Sequence, residues 1–326
     1  MNFGVIGTNF VSNSFMAGAV QVDACKIVAA CGSSLDKAKK FSDQHGIRHY
    51  FDSYKKMYES HLIDAVYIAV PNSLHYEMTK YFLCKGIPTF CEKPLASNYE
   101  QVKDLVACAK ENGTYLQEGL IPLYNPNFQI VKANLNLVGA IHQVNLNFSK
   151  YSTRYDAFLK GENPTTFRRE LSNGATMDLG VYLVADCVGL FGLPQNVLSA
   201  ASLLETGADV AGCSILQYEG FNATLSYSKA SDTRNICEIC GELGQLTIDQ
   251  PSQPQKIQFF ERKTGIVSQL GIDIKENFYY QISEMIRQVA NKKFESELVP
   301  FATILAVHKT LTEIRRQSNI VFPADC

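Results

Sequence analysis

The feature that most constrains this chain is an alternation, over residues 1–120, of short apolar runs with amphipathic stretches. Phe3 to Gly7 predicts a strand, and a helix follows through Met16. Ile27-Val28-Ala29-Ala30-Cys31 predicts a second strand, with a helix from Leu35 to Gln44 behind it. Ala65-Val66-Tyr67-Ile68-Ala69-Val70 predicts a third, followed by a helix from His75 to Lys85. Pro88 to Cys91 and Tyr115 to Leu120 complete the series. Ser97-Asn98-Tyr99-Glu100 has capping-box spacing, with Ser97 as N-cap and Glu100 at the third helical position. The helix it opens should run to Asn112 and stop at Gly113. Strands apolar on both faces and alternating with helices pack as a parallel, doubly wound α/β sheet, because crossover helices cover each face.

After about residue 121 the pattern changes. A helix near Phe128 to Leu137 precedes Ile141 to Phe148, which alternates as a half-buried strand. Further strand-like runs at Val197 to Leu204, Gly212 to Tyr218, Ala223 to Tyr227, Ile236 to Cys240, Leu246 to Ile248 and Ile257 to Glu261 predict a large, mainly antiparallel sheet. Helices near Phe278 to Asn291 and Phe301 to Arg316 end the chain. The expected division is therefore 1–120, a dinucleotide-binding domain, and 121–326, a substrate-binding and oligomerisation domain. The length of 326 residues suffices for both.

Charge and cysteine usage narrow the function. Lys+Arg 30 against Asp+Glu 32 leaves a net charge of -2 with no basic stripe, so nucleic acid is not an expected partner. No long apolar span is evident, so neither is a membrane. The N-terminus runs straight into a strand pattern, which leaves no room for a signal peptide. The ten cysteines are mostly scattered singly through apolar segments. The tight pair, Cys237-Glu238-Ile239-Cys240, lies in a strand, where residues three apart face opposite sides and chelate poorly. No second pair or histidine cluster completes a zinc site, so no metal is expected. Free thiols of this kind suit a reducing cytoplasm.

The loop after the first strand, Gly7-Thr8-Asn9-Phe10-Val11-Ser12, lies where a dinucleotide site carries G-x-G-x-x-G or A. Only Gly7 is kept. Asn9, at the second position, is the non-glycine type that best tolerates positive φ. Ser12, at the third, is small and could donate to a phosphate. Gly7, Thr8, Asn9, Phe10 and Ser12 are thus cofactor candidates, and a plain strand-to-helix turn is the competing reading. The second strand ends in Cys31-Gly32-Ser33-Ser34, with no acid for a ribose. Ser33, Ser34 and nearby Lys37 could meet a 2′-phosphate, which favours NADP while leaving NAD possible.

Pro71, Asn72 and His75 follow the third strand at the carboxyl edge, where ligands bind in open α/β sheets. His75 could line the cofactor or simply ride on the first helical turn. Glu92 and Lys93 follow the next strand on the same edge. A lysine there can polarise an alcohol oxygen; the alternative is a surface lysine. From Ala175 to Phe191 the chain is apolar nearly all round, yet Asp178, Tyr182 and Asp186 fall four apart, on one helical face. A buried polar stripe is either internally bonded or functional.

Glu92-Lys93-Pro94-Leu95, Pro71-Asn72 with His75, Asn173-Gly174 ahead of Asp178-Leu179-Gly180-Val181-Tyr182, and the closing Phe322-Pro323 together resemble the glucose–fructose oxidoreductase/inositol dehydrogenase/MocA (GFO/IDH/MocA) family. The resemblance implies an N-terminal Rossmann domain and a C-terminal α/β domain whose large open sheet makes homodimer or homotetramer contacts. It also implies that Lys93 is the catalytic lysine and Asp178 the catalytic aspartate. Many members carry histidine where Tyr182 stands. Tyrosine there is similar to the glucose–fructose oxidoreductase and trans-dihydrodiol dehydrogenase branches. Asn9 and Ser12 depart from the family's phosphate loop, and Asn173 from its usual glycine pair.

The expected function is NAD(P)-dependent hydride transfer at a carbinol or carbonyl carbon of a sugar, polyol or diol, with Tyr182 as base, Lys93 on the oxygen and Asp178 orienting. The alternative is a catalytically silent dinucleotide sensor of the same fold, suggested by the altered glycine loop. Substrate specificity is expected in Tyr151 to Arg169, whose Arg154, Arg168 and Arg169 could equally be solvated surface charges.

Overall fold

The computed structural model describes residues 1–326, the side chain of Asn277 excepted. Two compact units result, Met1–Gly119 with Lys275–Phe301, and Leu120–Ile274 with Ala302–Cys326. The first begins as an alternating series: β1 (Asn2–Ile6), α1 (Phe10–Ala19), β2 (Lys26–Cys31), α2 (Leu35–His45), β3 (His49–Phe51), α3 (Tyr54–Glu59), β4 (Ala65–Ile68), α4 (His75–Leu83), β5 (Thr89–Cys91), α5 (Tyr99–Glu111) and β6 (Leu116–Glu118). Its six strands are all parallel, in the order β3-β2-β1-β4-β5-β6. The reversal between β1 and β4 is the switch point at which an open sheet binds ligands.

Three details differ from expectation. β3 and α3 are too short to show a period in the sequence. The cap of α5 is Asn98, not Ser97: Asn98 is extended and its side chain accepts from Gln101 N–H, while the Ser97 N–H donates to Gln101 Oε1 at 3.1 Å. And the helix after residue 275 belongs to this unit, so a simple division at 120/121 does not describe the chain. Phe278 explains the return. It sits edge-on to Phe15 and Tyr67, which stack at 3.8 Å, and a Cβ on Gly18 of α1 would meet the Phe278 Cβ at 2.5 Å. Burying such a ring is worth about 2–3 kcal/mol, which only a close helix–helix approach secures.

The second unit runs α6 (Ile121–Tyr124), α7 (Pro126–Ala133), β7 (Ile141–Ser149), α8 (Thr153–Leu159), a wide π-type turn over Thr176–Gly180, α9 (Val181–Phe191), β8 (Asn196–Leu203), β9 (Asp209–Tyr218), β10 (Phe221–Ser228), β11 (Ile236–Gly241), β12 (Gly244–Asp249), β13 (Ile257–Glu261) and β14 (Val267–Gln269). The remaining helices are α10 (Asn277–Ala290), of the first unit, and α11 (Phe301–Gln317), almost wholly of the second. The eight strands order as β14-β13-β12-β11-β7-β10-β9-β8, antiparallel except for β7 beside β10. Cys237 is buried and Cys240 half-buried on alternating faces of β11, as strand geometry requires.

The closing Phe322-Pro323 has a structural reason. Phe322 is buried under the Arg315 guanidinium, 4.2 Å from its ring centroid, and Arg315 pairs with Asp325 at 2.7 and 3.0 Å. One expectation needs correction. Arg169–Phe191, 23 residues, is by length and composition alone a helical stretch that could cross a membrane. Here most of it is buried in the unit's own core, as Val181, Leu183, Val184, Ala185 and Cys187 show.

Candidate functional site

At the carboxyl edge of the six-stranded sheet lies a cavity of about 760 Å³. Its walls include Gly7, Thr8 and Asn9 after β1, Ser33 after β2, and Pro71 after β4. Gly7 makes this wall possible: its φ is +107°, and a Cβ there would lie 1.9 Å from the Ala69 carbonyl oxygen. The main chain after β1 therefore passes directly over the end of β4, a cradle that any side chain at position 7 would fill. The opening α1 places a helix N-terminus at the same edge, which suits a pyrophosphate.

The polar side chains of this loop behave otherwise than expected. Asn9 has φ -96°, so it does not stand in for a left-handed glycine. It caps α1, accepting from Val11 and Ser12 N–H at 2.9 and 3.1 Å, and its amide donates to the Ala69 carbonyl at 2.9 Å. Ser12 is fully buried and donates to the Gly7 carbonyl at 2.9 Å, so its hydroxyl shapes the loop rather than facing a phosphate. Phe10 is 77% exposed. At the end of β2, Lys37 Nζ donates to Ser33 Oγ at 3.2 Å, and Ser34 caps α2 by accepting from the Lys37 N–H. Lys40, Asp52 and Tyr54 also line the cavity. Sequence reading missed the last two because they lie on and beside the unassigned β3 and α3. The Lys40 side chain gives no periodic signal at all.

Asn72 opens a short 3₁₀ turn ahead of α4. His75 begins α4 but is 1% exposed, which corrects its expected place in the cofactor lining. Its Nδ1 lies 2.7 Å from the Pro94 carbonyl and its Nε2 2.9 Å from the Val70 carbonyl. Burial pushes its pKa below the usual histidine value, against the pull of both carbonyls. The ring thus ties the end of β4 to the Lys93 loop. Glu92 is also buried, not cofactor-facing: Tyr67 Oη donates to its Oε1 at 2.8 Å, and its own N–H donates to the Ile68 carbonyl. Burial raises the Glu92 carboxyl to about 7, opposed by the Tyr67 hydroxyl and the Lys93 charge. Leu95 N–H donates to Glu118 Oε1 at 2.9 Å. Half-buried Lys93, joined to Pro94 by a cis peptide, therefore sits in a segment held at residues 92, 94 and 95.

In the second unit, Asp178 lies in the wide turn and Tyr182 in the first turn of α9; both are half-buried. The Tyr182 ring meets Phe148 edge-on at 5.7 Å. Asp178 Oδ2 accepts from Lys229 Nζ. Lys229 was not anticipated, since a single lysine after a strand reads as surface. The expected three-residue stripe is not kept: the wide turn changes the helical phase, and Asp186 is buried, with Oδ1 lacking a hydrogen-bond partner among the described residues. Burial raises its pKa well above the usual carboxylate value. The Asn173 departure is also explained. Gly174 has φ +152° and a Cβ there would lie 1.9 Å from Asp209 Oδ1, so glycine is required at 174, whereas at 173 the Asn side chain donates to the Thr165 carbonyl at 2.8 Å. Arg154 and Arg169 are exposed and Arg168 is half-buried; Arg168 bonds the Asn163 carbonyl and Arg169 lies 3.6 Å from Glu170.

Comparison with known proteins agrees with this architecture. Residues 1–120 match the model of an oxidoreductase family with an NAD-binding Rossmann fold, and residues 134–247 match the GFO/IDH/MocA C-terminal domain. The chain is 40% identical, over 100% of its length and 98% of the relative's, to the uncharacterized oxidoreductase YgjR of Escherichia coli. It is 36% identical to scyllo-inositol 2-dehydrogenase (NADP(+)) IolU of Bacillus subtilis, covering 100% and 99%. A crystal structure of KijD10, a 3-ketoreductase from Actinomadura kijaniata in complex with TDP-benzene and NADP, superposes with a TM-score of 0.84 at 21% identity, covering 98% of each chain. The chain belongs to the GFO/IDH/MocA family of NAD(P)-dependent oxidoreductases.

Proposed function

We propose that the protein is an NADP-preferring oxidoreductase that interconverts a secondary hydroxyl and a ketone on a cyclic polyol or sugar. The observation that carries the cofactor preference is the end of β2. There Gly32-Ser33-Ser34-Leu35 offers no carboxylate to a ribose, while Ser33, Lys37 and Lys40 line the cavity. Two ammonium groups and a hydroxyl suit a 2′-phosphate, and an acid would repel it. Asp52, in the same cavity, is paired with Lys56 at 3.0 Å. IolU, with its NADP-dependent inositol chemistry, supports both the cofactor and the polyol class.

When bound, the nicotinamide supplies or accepts the hydride. The chain's own groups then have three tasks. Lys93 Nζ binds the reacting oxygen, Tyr182 Oη acts as the phenolate that takes the hydroxyl proton in the oxidative direction and becomes the neutral phenol, and Asp178 holds the substrate by accepting from a neighbouring hydroxyl. The three ties on residues 92–95 support the assignment of Lys93, since a positioned cation is worth more than a mobile one. We assign cofactor binding to the first unit, and substrate binding with homo-oligomeric contacts to the second, whose strands expose Leu198, Leu203, Ile236 and Val267. The free thiols suit a cytoplasmic setting. A silent sensor gains no support from relatives named as dehydrogenases.

Fluorescence titration with NADPH and NADH, followed by a polyol and sugar panel that includes scyllo-inositol, tests this reading. NADPH should bind at least about tenfold more tightly than NADH. Equal or stronger NADH binding overturns the preference. Tight NADPH binding without turnover anywhere in the panel overturns the activity.

A further inference from the structure

We infer that Lys229 is the positioning residue of the substrate site, holding Asp178 ionised and oriented toward the substrate; this rests on the role of Asp178 proposed above. Lys229 is the first residue after β10. Its N–H donates to the Val210 carbonyl and its carbonyl accepts from the Ser152 N–H, both at 2.9 Å, so its main chain is fixed on two sides. Its side chain is only 8% exposed and the Asp178 side chain 45%. That asymmetry carries the inference. A lysine is buried only when its charge is answered, and here the sealed cation reaches a carboxylate that opens outward. Lys229 thus acts through Asp178 and not by touching substrate.

The surroundings agree. Asp209, fully buried at the start of β9, accepts from the Thr176 N–H and Oγ1 at 2.6 and 2.7 Å, and so anchors the first residue of the turn that carries Asp178. Burial raises the Asp209 pKa, opposed first by its bonds to Thr176 and least by the Lys229 charge. The other titratable groups on the elements packed against this turn are Tyr227 on β10, whose hydroxyl meets Thr176 Oγ1 at 3.0 Å; Cys213 and Tyr218 on β9, the latter donating to the Gly192 carbonyl at 3.1 Å; Tyr182, Asp186 and Cys187 on α9; and His142 on β7, which pairs with Glu242 at 3.5 Å. Lys229 Nζ donates directly to Asp178 Oδ2.

The test compares Lys229→Met, Lys229→Arg, Asp178→Asn and the Lys229→Met/Asp178→Asn double variant, using scyllo-inositol or the panel's best polyol with NADP. Lys229→Met should lower kcat/KM about 30-fold or more at pH 7 while leaving NADPH affinity within about threefold. Without the cation the Asp178 pKa rises, so the acid limb of the kcat/KM profile should move up by about one pH unit. Lys229→Arg should recover most of the loss. On the Asp178→Asn background Lys229→Met should cost little more, because the two residues act as one unit. Wild-type kcat/KM and pH profile in Lys229→Met, with Asp178→Asn inactive, overturns the inference alone. So does an equal loss on both backgrounds with no recovery by arginine, which marks a structural role. Full activity in Asp178→Asn overturns the reading of Asp178 and this inference with it.

Discussion

The two units differ in how most of their site side chains are held. Around the cavity of the first, loop side chains bond chiefly to main chain: Asn9 to Val11, Ser12 and Ala69, Ser12 to Gly7, His75 to Val70 and Pro94, Glu118 to Leu95, with Tyr67–Glu92 and Lys37–Ser33 as side-chain pairs. In the second, side chains bond to one another: Lys229 to Asp178, and Thr176 to both Asp209 and Tyr227. The first arrangement shapes loops and leaves cavity walls and backbone to meet a ligand. The second holds charges that depend on each other, so removing one partner strands the other. A polar residue in a motif is therefore as often a builder of the loop as a ligand contact.

The largest effect should come from Lys93, whose segment is held at residues 92, 94 and 95. Lys93→Met should lower kcat by about 10³-fold or more, with NADPH affinity within about threefold. Near wild-type turnover would reduce the first unit to a cofactor cradle and remove the contrast between the units. Next comes Gly174→Ala. Its Cβ would enter the Asp209 carboxylate that anchors Thr176, at a φ alanine rarely adopts. A loss of about 3–5 kcal/mol in urea unfolding is expected. A loss below about 1 kcal/mol would show that the Asp209 network yields easily and does not fix Asp178.

The third effect depends on pH. Glu92 is held near 7, above its ordinary 4.5, chiefly by burial. The folded chain binds this proton more tightly than the unfolded one. The resulting stability is complete below about 4.5 and is lost as pH rises through about 7. Glu92→Gln cannot ionise and can still accept from Tyr67. Its stability should therefore fall less than that of wild type between pH 5 and 8, by up to about 3 kcal/mol. Parallel decline in the two proteins would mean that the Glu92 charge is met fully inside this network.

Much of this was legible in the sequence, for identifiable reasons. Strands such as Ala65–Ile68, buried on both faces, announce a parallel sheet, because amphipathic strands would alternate. The Lys93 and Asp178 motifs stand out because each lies beside residues of fixed conformation. Other features left no local trace. Whether Ser97 or Asn98 caps α5 depends on which is extended at the helix entrance, and both types can accept. An amphipathic α10 shows that it needs a core without saying which; the pairing of Phe278 with Phe15 decides that. Lys229 was invisible because its burial comes from β9, β10 and the wide turn, far apart in the chain. Ser12 and His75 were noticed for their chemistry, while the bonds that occupy them run to carbonyls that no sequence displays.

The smallest predicted effect bears most directly on that last point. Asn9 replaces the second glycine of the dinucleotide loop, and such a change could disable cofactor binding. The structure gives it another task, since its extended backbone needs no glycine and its side chain closes the N-terminus of α1. Asn9→Gly would remove the cap, at a few tenths of a kcal/mol, and the bond to the Ala69 carbonyl, at about 1 kcal/mol. It would also release the Val11 and Ser12 N–H groups toward the pyrophosphate end of the helix. Unfolding should therefore show a loss of about 1 kcal/mol, and NADPH affinity should hold or tighten by no more than about threefold. If affinity instead fell by more than about tenfold, the Asn9 side chain would itself be a cofactor contact. The first unit would then resemble the second in working through side chains, and the contrast between them would narrow to Ser12 and His75.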